Sequence, residues 1–527
     1  MTNAMRTHTD SRAAAPIPVV DVFAGPGGLG EGFSSLCQGR SRRPAFEIVL
    51  SIEKDQVAAR TLELRAIFRH LRLSRVPEAY YRYVRGEIDR DAFISHPSVR
   101  EAVVLAKCEA RCAVLGETPD ATVDRWIRAA LEGKNPNWVL IGGPPCQAYS
   151  LVGRSRMANV DRAVFERDHR HVLYREYLRI IRKFQPAVFV MENVKGILSA
   201  TLAGERIFDQ IRRDLSGPAQ GIRYEIRSFV RAEREGLKPA DYVIRAERFG
   251  VPQARHRVIL LGIRSDIADR PHEPLIPHAE SVTVQEVLRE LPRLRSGLSR
   301  GEDSLDAWLQ VLERTPRLIA DWPNVMRQRV SEIMRHAITQ ARSNCHSGDR
   351  FVPWEQPDAA RSDLQRWLRD GRLKGVLNHE ARRHMASDLK RYLFAACFAE
   401  ALGASPKLRD YPKALLPDHG NLDAAEVPFE DRFRVQLAQR PATTVVSHIA
   451  KDGHYFIHPD PSQARSLTVR EAARLQTFPD NYFFEGNRTE QYTQVGNAVP
   501  PYLARQLAEV VSGVLHGEEL RLAARAA

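Results

Sequence analysis

Short apolar runs separated by charged, helix-periodic stretches dominate the first half of the chain. Residues 17–23 are apolar and end in glycines, and 46–52, 138–141 and 187–191 repeat the pattern. Runs of this length bounded by turn residues predict buried strands. Residues 242–246 and 257–263 predict a hairpin-like pair around the turn Phe249-Gly250-Val251-Pro252. A helical pattern over 172–184 leads into the fourth strand. Strand and helix in alternation predict an α/β fold, a doubly wound, mostly parallel sheet. Residues 55–137 are helical in pattern and charged, too long for one crossover, so a helical insertion is expected at about 56–137. From 271 to 464 the periodicity turns irregular and rich in Arg, His, Trp and Pro, which predicts a second, smaller domain. Order returns after Arg465, with a helix over 468–476 and a last one over 501–516. The catalytic part is thus expected at 16–270, with 465–517 returning to it; 1–15 reads as a polar, disordered lead and 518–527 as a tail.

Charge and cysteine usage narrow the class. Of 527 residues, 78 are Lys or Arg against 65 Asp or Glu, a net charge of +13. Such an excess favours a polyanionic partner, although by itself it fits many proteins that bind no nucleic acid. No run of about 18 apolar residues is present to span a bilayer, and 1–15 lacks the apolar core of a signal peptide. Six scattered cysteines (Cys37, Cys108, Cys112, Cys146, Cys345 and Cys397) suggest a reducing cytosol rather than a disulfide framework. Cys108 and Cys112 stand four apart on a predicted helix, but no further ligands match them, so no metal is expected.

Several segments carry candidate chemistry. Phe23-Ala24-Gly25-Pro26-Gly27-Gly28-Leu29 follows a buried strand and opens a helix, where glycines let the backbone turn and approach a ligand. The second strand ends in Ile52-Glu53, and an acid there can accept hydrogen bonds from both ribose hydroxyls. Phe23 reads equally as an adenine stack or as core packing. No Gly-Lys-Ser/Thr follows the glycines, so a phosphate cradle is not expected. Gly142-Gly143-Pro144-Pro145-Cys146-Gln147 then forms a rigid turn at the carboxyl edge of the third strand, where open sheets bind ligands. A thiolate there would be a strong nucleophile, whereas most isolated cysteines are small buried hydrophobes. Glu192-Asn193-Val194 ends the fourth strand, and its acid could hydrogen-bond a heterocycle or move a proton. Arg255 and Arg257 alternate, so on extended backbone they point the same way, able to hold negative charge or to form surface ion pairs. In the irregular region, Arg382, Arg383, Thr443 and Thr444 are candidates for DNA contact, with a merely solvated basic face as the alternative.

Together, and in this order, these blocks resemble the C5-cytosine-specific DNA methyltransferase family. Phe23-Ala24-Gly25 resembles its first motif, Glu53 its ribose-binding acid, Gly143-Pro144-Pro145-Cys146-Gln147 its catalytic loop, Glu192-Asn193-Val194 its base-contacting motif and residues 253–257 its Gln-x-Arg-x-Arg motif. The run from Leu467 to Asp480 resembles the ninth motif, and Gln494-Val495-Gly496-Asn497-Ala498-Val499-Pro500-Pro501 the tenth. The resemblance covers 18–264 and 465–512. It implies a class I, Rossmann-like fold that uses S-adenosyl-L-methionine, leaving S-adenosyl-L-homocysteine. It implies a cofactor site of Phe23, Ala24, Gly25, Gly27, Gly28, Leu29, Ile52, Glu53, Pro144, Asn497, Ala498 and Val499. It implies attack by Cys146 on C6 of a flipped cytosine, with Glu192 on the ring N3 and amine, Arg257 near O2 and Arg255 in support. Gln147 and Ser150 would touch double-stranded DNA. Tyr149 departs from the family's usual Phe. The adenine-facing third motif is indistinct, with Gly86-Glu87-Ile88 as the candidate. A bacterial, cytoplasmic and nucleoid-associated enzyme acting as a monomer, in restriction–modification or antiphage defence, is the setting the resemblance implies. An RNA-modifying relative would carry a Cys-Phe-Thr tripeptide, which is absent; a catalytically silent relative would not need Cys146, Glu192 and Arg257; an amino-group methyltransferase would replace Pro-Pro-Cys.

Overall fold

The computed structural model describes residues 15–38, 43–72, 75–145, 169–202, 204–344, 346–355, 360–417 and 430–516. Its centre is an eight-stranded sheet. The strands are β1 (Ile17–Val22), β2 (Phe46–Glu53), β3 (Ala110–Cys112), β4 (Val139–Gly142), β5 (Val188–Val194), β6 (Tyr224–Ser228), β7 (Val243–Arg245) and β8 (His256–Arg264). The spatial order is β6-β8-β5-β4-β1-β2-β3, with β7 also paired to β8. Pairs from β3 through β5 are parallel, and β8 runs antiparallel to β5, β6 and β7. Every residue of β1 and of β4 is buried, as expected of strands covered on both faces.

Helices cover those faces. On one lie α1 (Gly28–Ser35) and, far along the chain, Pro501–His516. Their side chains Phe33, Leu503, Leu507, Val511 and Val514 share a core with Val19, Ile141, Val190 and Leu261. A Cβ at Gly32 would fall 2.4 Å from that of Ala504, so the last helix seats on α1 through small residues. On the other face Tyr177, Leu178 and Ile181, from the helix His169–Phe184, pack with Val20, Leu140, Phe189 and Leu260. The six expected strands and the two long helices lie where the apolar pattern places them, whereas β6, paired with β8, was not expected from the sequence.

The stretch 56–137 departs from its expected all-helical character. After α2 (Gln56–Arg72) and α3 (Glu78–Arg85), the helix α4 (Arg100–Glu109) stops at Glu109, and the chain enters the sheet as β3 beside β2. Cys108 is therefore helical while Cys112 is on a strand, and the two do not share a helix face. β3 is only three residues long and half-exposed, so no apolar run announces it. Gly86 caps the end of α3 with φ 83°, and Glu87 pairs with Arg82 and Arg85. The loop that follows the strand next to β2 instead carries Gly116-Glu117. Tyr80, Tyr81, Tyr83 and Phe93 form a core with Leu373, Leu377 and Phe483, which ties the helical stretch to the second half of the chain.

That second half has two cores. One gathers Trp308, Met334 and Val330 around α5 (Ala386–Leu402), with Phe433 and Ile457. The other joins Val287, Leu291 and Phe456 to α6 (Val469–Leu475) and α7 (Arg488–Asn497). Residues 467–498 thus pack with the irregular region, and within the C-terminal segment only the run from Val499 into α8 (Pro501–His516) joins the α1 face of the sheet. Burial holds the His379 and His458 imidazoles down at about 4, against the pull of Glu471. Their unfolded value is near 6.5, so the unfolded chain takes up protons first. Stability is expected to be full above pH ~6.5 and to fall as pH drops toward ~4, read as a decreasing Tm across that window.

Candidate active site

The glycine-rich turn after β1 is held from three sides. Ala24 N–H donates to the Ile52 carbonyl at 3.2 Å, and Gly25 N–H to the Glu53 carboxylate at 2.8 Å. The Tyr482 hydroxyl donates to the Pro26 carbonyl. A Cβ at Gly28 would lie 2.2 Å from the Val499 carbonyl oxygen, so only glycine lets the tenth-motif segment close over the turn. This glycine serves a protein contact, and Leu29 and Ile52 likewise turn their side chains into the core. Gly25 differs: with φ +57° it adopts the left-handed region, and its missing Cβ borders open space. Phe23, at φ 57°, stands half-buried at its side. The other Glu53 oxygen accepts from Asp55 N–H at 2.9 Å, and each carboxylate oxygen keeps a lone pair for a further donor. Beneath the turn, burial pushes the Asp21 carboxyl up to about 8. An open backbone edge, a strand-end carboxylate and an aromatic ring together fit a nucleoside bearing a ribose diol.

Beyond β4 the chain reaches Pro144 and Pro145; Cys146, Gln147 and Ser150 lie outside the described residues. What is placed is their foundation. The Asn193 amide donates to the Pro144 carbonyl at 3.2 Å. The position a Gly143 Cβ would occupy is 2.9 Å from a Glu192 oxygen. The same carboxylate meets Arg257 Nε at 2.9 Å across the β5–β8 pairing, both side chains 15% exposed. A carboxylate and a guanidinium are therefore paired and partly open to solvent beside Gly143, which lies three residues before Cys146 in the sequence.

Arg255 points elsewhere. It is buried, donating to the Val445 carbonyl at 2.7 Å and to Gly496 at 3.2 Å, and burial drives its pKa well down. The alternation does not put the two arginines on one surface, because the segment leaves regular sheet between Ala254 and His256. Gln253 joins the same hub: its amide donates to Leu475 O and Gln476 Oε1, and its own oxygen accepts from Val445 N–H. Gln476 continues to the Val495 and Ala498 carbonyls. Asn193, Gln253 and Gln476 lie within the motif blocks quoted from the sequence but were assigned no role of their own there.

In the irregular region Arg382 is buried rather than DNA-facing. Its guanidinium donates to the Ile449, Ala450 and Lys451 carbonyls and lies 4.3 Å over the Tyr492 ring. As placed, those donors are spent on protein, so base contact falls to other groups. Arg383 is exposed, with a loose approach to Asp303 at 3.9 Å. Thr443 donates to Gln436 and Thr444 to the Ala254 carbonyl, both half-buried. Asn497 is exposed at the end of α7, beside buried Ala498 and Val499.

Sheet order, the glycine turn and the strand-end acid define a class I S-adenosylmethionine methyltransferase fold. The C-5 cytosine-specific DNA methylase family matches residues 134–513, and the chain belongs to that family. It is 34% identical to the type II methyltransferase M.Bpa9945I of Bacillus paralicheniformis, over 95% of this chain and 99% of that one. It is 27% identical to the DNA (cytosine-5-)-methyltransferase M.ApeKI of Aeropyrum pernix, a match spanning 72% of this chain and 81% of that one. Among solved structures, a putative DNA modification methyltransferase encoded within an E. coli prophage shares the fold, with TM-score 0.53, 17% identity and 95% and 99% coverage. The protein is thus a DNA cytosine-5 methyltransferase by family, and no helix among its described residues is long and apolar enough to cross a membrane.

Proposed function

We propose that the protein moves a methyl group from S-adenosyl-L-methionine to C5 of a flipped-out cytosine at a specific site in duplex DNA. The observation that carries this reading is the Glu192–Arg257 pair standing against Gly143, on the approach to Cys146. Phe23, Ala24, Gly25 and Glu53 would hold the cofactor's nucleoside, and the Asn497–Val499 segment would close that end of the site. Pro144 would border it, and Gly27 and Gly28 would shape the turn. When bound, the cofactor supplies an electrophilic methyl group. Cys146, as thiolate, would add to C6, leaving C5 electron-rich. Glu192 would meet N3 and the amine, and Arg257 the O2 edge, offsetting the charge that gathers on the ring. After methylation, loss of the C5 proton and expulsion of the thiolate restore the aromatic ring. Arg255, Gln253 and Gln476 position these groups without touching the base.

In this reading residues 16–270 are the catalytic part, 271–464 the target-recognition part, and Gln147, Ser150, Arg383, Thr443 and Thr444 the duplex contacts. The protein would act as a monomer in a bacterial cytoplasm. The type II naming of the relatives supports a restriction–modification or related defence setting. Labelled S-adenosyl-L-methionine supplied with unmethylated duplex DNA and, separately, a tRNA pool tests the reading. Label on cytosine C5 at one recurring DNA sequence is the expected result; label confined to tRNA would move the protein to RNA modification.

One variant probes the cofactor end. Glu53→Ala removes the acceptor that both orients the turn through Gly25 and would take the ribose hydroxyls. Loss of hydrogen bonds to a charged acceptor costs roughly 1.5–3 kcal/mol, so affinity for the cofactor is expected to drop about 10- to 150-fold. Isothermal titration in the absence of DNA measures it.

A further inference from the structure

Arg382 holds a surface turn in place from inside the protein. The turn Ser447–Ala450 is a single 3-10 helix whose terminal carbonyls need donors. The guanidinium supplies them to Ile449, Ala450 and Lys451, three consecutive residues. Tyr492 backs it at 4.3 Å, and only 8% of Arg382 is exposed. The two terminal nitrogens are satisfied in this way, whereas the buried Nε has no partner among the described residues, and a surface turn without such a clasp would be free to fray.

The same turn is fastened to the active site at its other end. Arg255 donates to Val445 O, Thr444 Oγ1 to Ala254 O, and Ala442–Thr443 pairs with Gln253–Ala254. A Cβ on Gly496 would stand 2.3 Å from Ser447 N, so α7 closes directly on the turn. Two residues beyond Arg255, Arg257 meets Glu192. Outward, the turn presents Val446, 38% exposed, with His448 and Lys451 also exposed. An apolar side chain flanked by an imidazole and an ammonium suits a duplex, where apolar groups meet base edges or open steps and cations meet phosphates.

We propose that the 446–451 turn meets the target duplex beside the reacting base, and that Arg382 is a positioning residue that sets target discrimination without contacting DNA. This rests on the DNA-methylation reading above.

The test uses the full-length enzyme and a duplex bearing its own site, first located by base-resolution sequencing of methylated DNA. kcat and KM are measured on that duplex and on its single-base variants, at several salt concentrations, for wild type, Arg382→Lys, His448→Ala and Lys451→Ala. A lysine can serve one carbonyl but not the fork of three. Arg382→Lys is expected to lower the cognate-to-variant ratio of kcat/KM by about tenfold or more, mostly through KM. Lys451→Ala is expected to raise KM several-fold on every sequence and reduce the salt slope by about one. Both substitutions at the turn, His448→Ala and Lys451→Ala, are of exposed residues and spare the fold. If they leave KM, discrimination and salt slope at wild-type values, the turn does not meet the duplex and the proposal fails. If Arg382→Lys lowers Tm and activity on all sequences alike, with the ratio unchanged, its role is structural only and the proposal fails. Wild-type enzyme that methylates no DNA would instead overturn the underlying reading, before any variant is compared.

Discussion

Cys146→Ala is expected to lower methyl transfer to duplex DNA by ~10⁴-fold or more, with duplex binding retained. C5 of cytosine is a poor nucleophile until C6 carries an added group, and in the proposed mechanism Cys146 supplies that addition. The surrounding geometry explains why the loss should be specific to chemistry. Gly143 packs under Glu192, and Pro144 is bonded to Asn193, so the approach to residue 146 is anchored by groups the substitution leaves alone. Glu192 keeps its ion pair with Arg257 in the variant. Single-turnover transfer of labelled methyl, alongside duplex affinity by fluorescence anisotropy, separates the two effects. Transfer at a tenth of the wild-type rate or better would rule out Cys146 as the nucleophile.

Glu471→Ala is expected to destabilise the fold by about 3–5 kcal/mol, the usual cost of stranding a buried charge. Arg465 and Glu471 are 0% and 1% exposed, and the guanidinium fork meets both carboxylate oxygens, at 2.6 and 2.7 Å. Glu471 also accepts from Thr468 N–H at 2.7 Å, completing the capping box that starts α6. Burial works against its ionised form, but Arg465 and the nearby imidazoles hold its carboxyl well below the usual range. Without it, Arg465 would face His379 and His458, which already resist protonation. Urea unfolding followed by circular dichroism measures the change. A loss under 1 kcal/mol would mean that Arg465 finds another partner or water, and that the pair does not bear on stability.

The carboxylate–guanidinium pair at the active site stands in contrast. Glu192 and Arg257 are each 15% exposed, so each retains contact with solvent. The Arg465 pair is sealed and serves the fold, while the Glu192 pair is partly open, as the proposed contact with the base requires.

Much of this was legible along the chain. Buried parallel strands are apolar on both faces, so β1, β2, β4 and β5 appear as continuous runs, and the turn residues that end them mark the sheet's carboxyl edge. The candidates Gly25, Glu53 and Glu192 lie at those strand ends, and Cys146 follows β4 in the sequence. Local pattern has less to say where a residue's role depends on a distant partner. β3 has three half-exposed residues, and only its pairing with β2 makes it a strand. Arg382 looks like a base reader by residue type, but three carbonyls 67 to 69 positions away claim its guanidinium. Gly28 looks like a ligand contact, but the Val499 carbonyl occupies the space beside it. Arg255 and Arg257 alternate in sequence, yet a break in the strand sends one into a buried hub and the other to its ion pair with Glu192. The sequence by itself determined the kind of sheet and the chemical types at its edge, because periodicity and turn residues are local. The tertiary structure alone decided which cations are sealed in the protein and which remain for substrate, because desolvation and pairing depend on what the rest of the chain brings alongside.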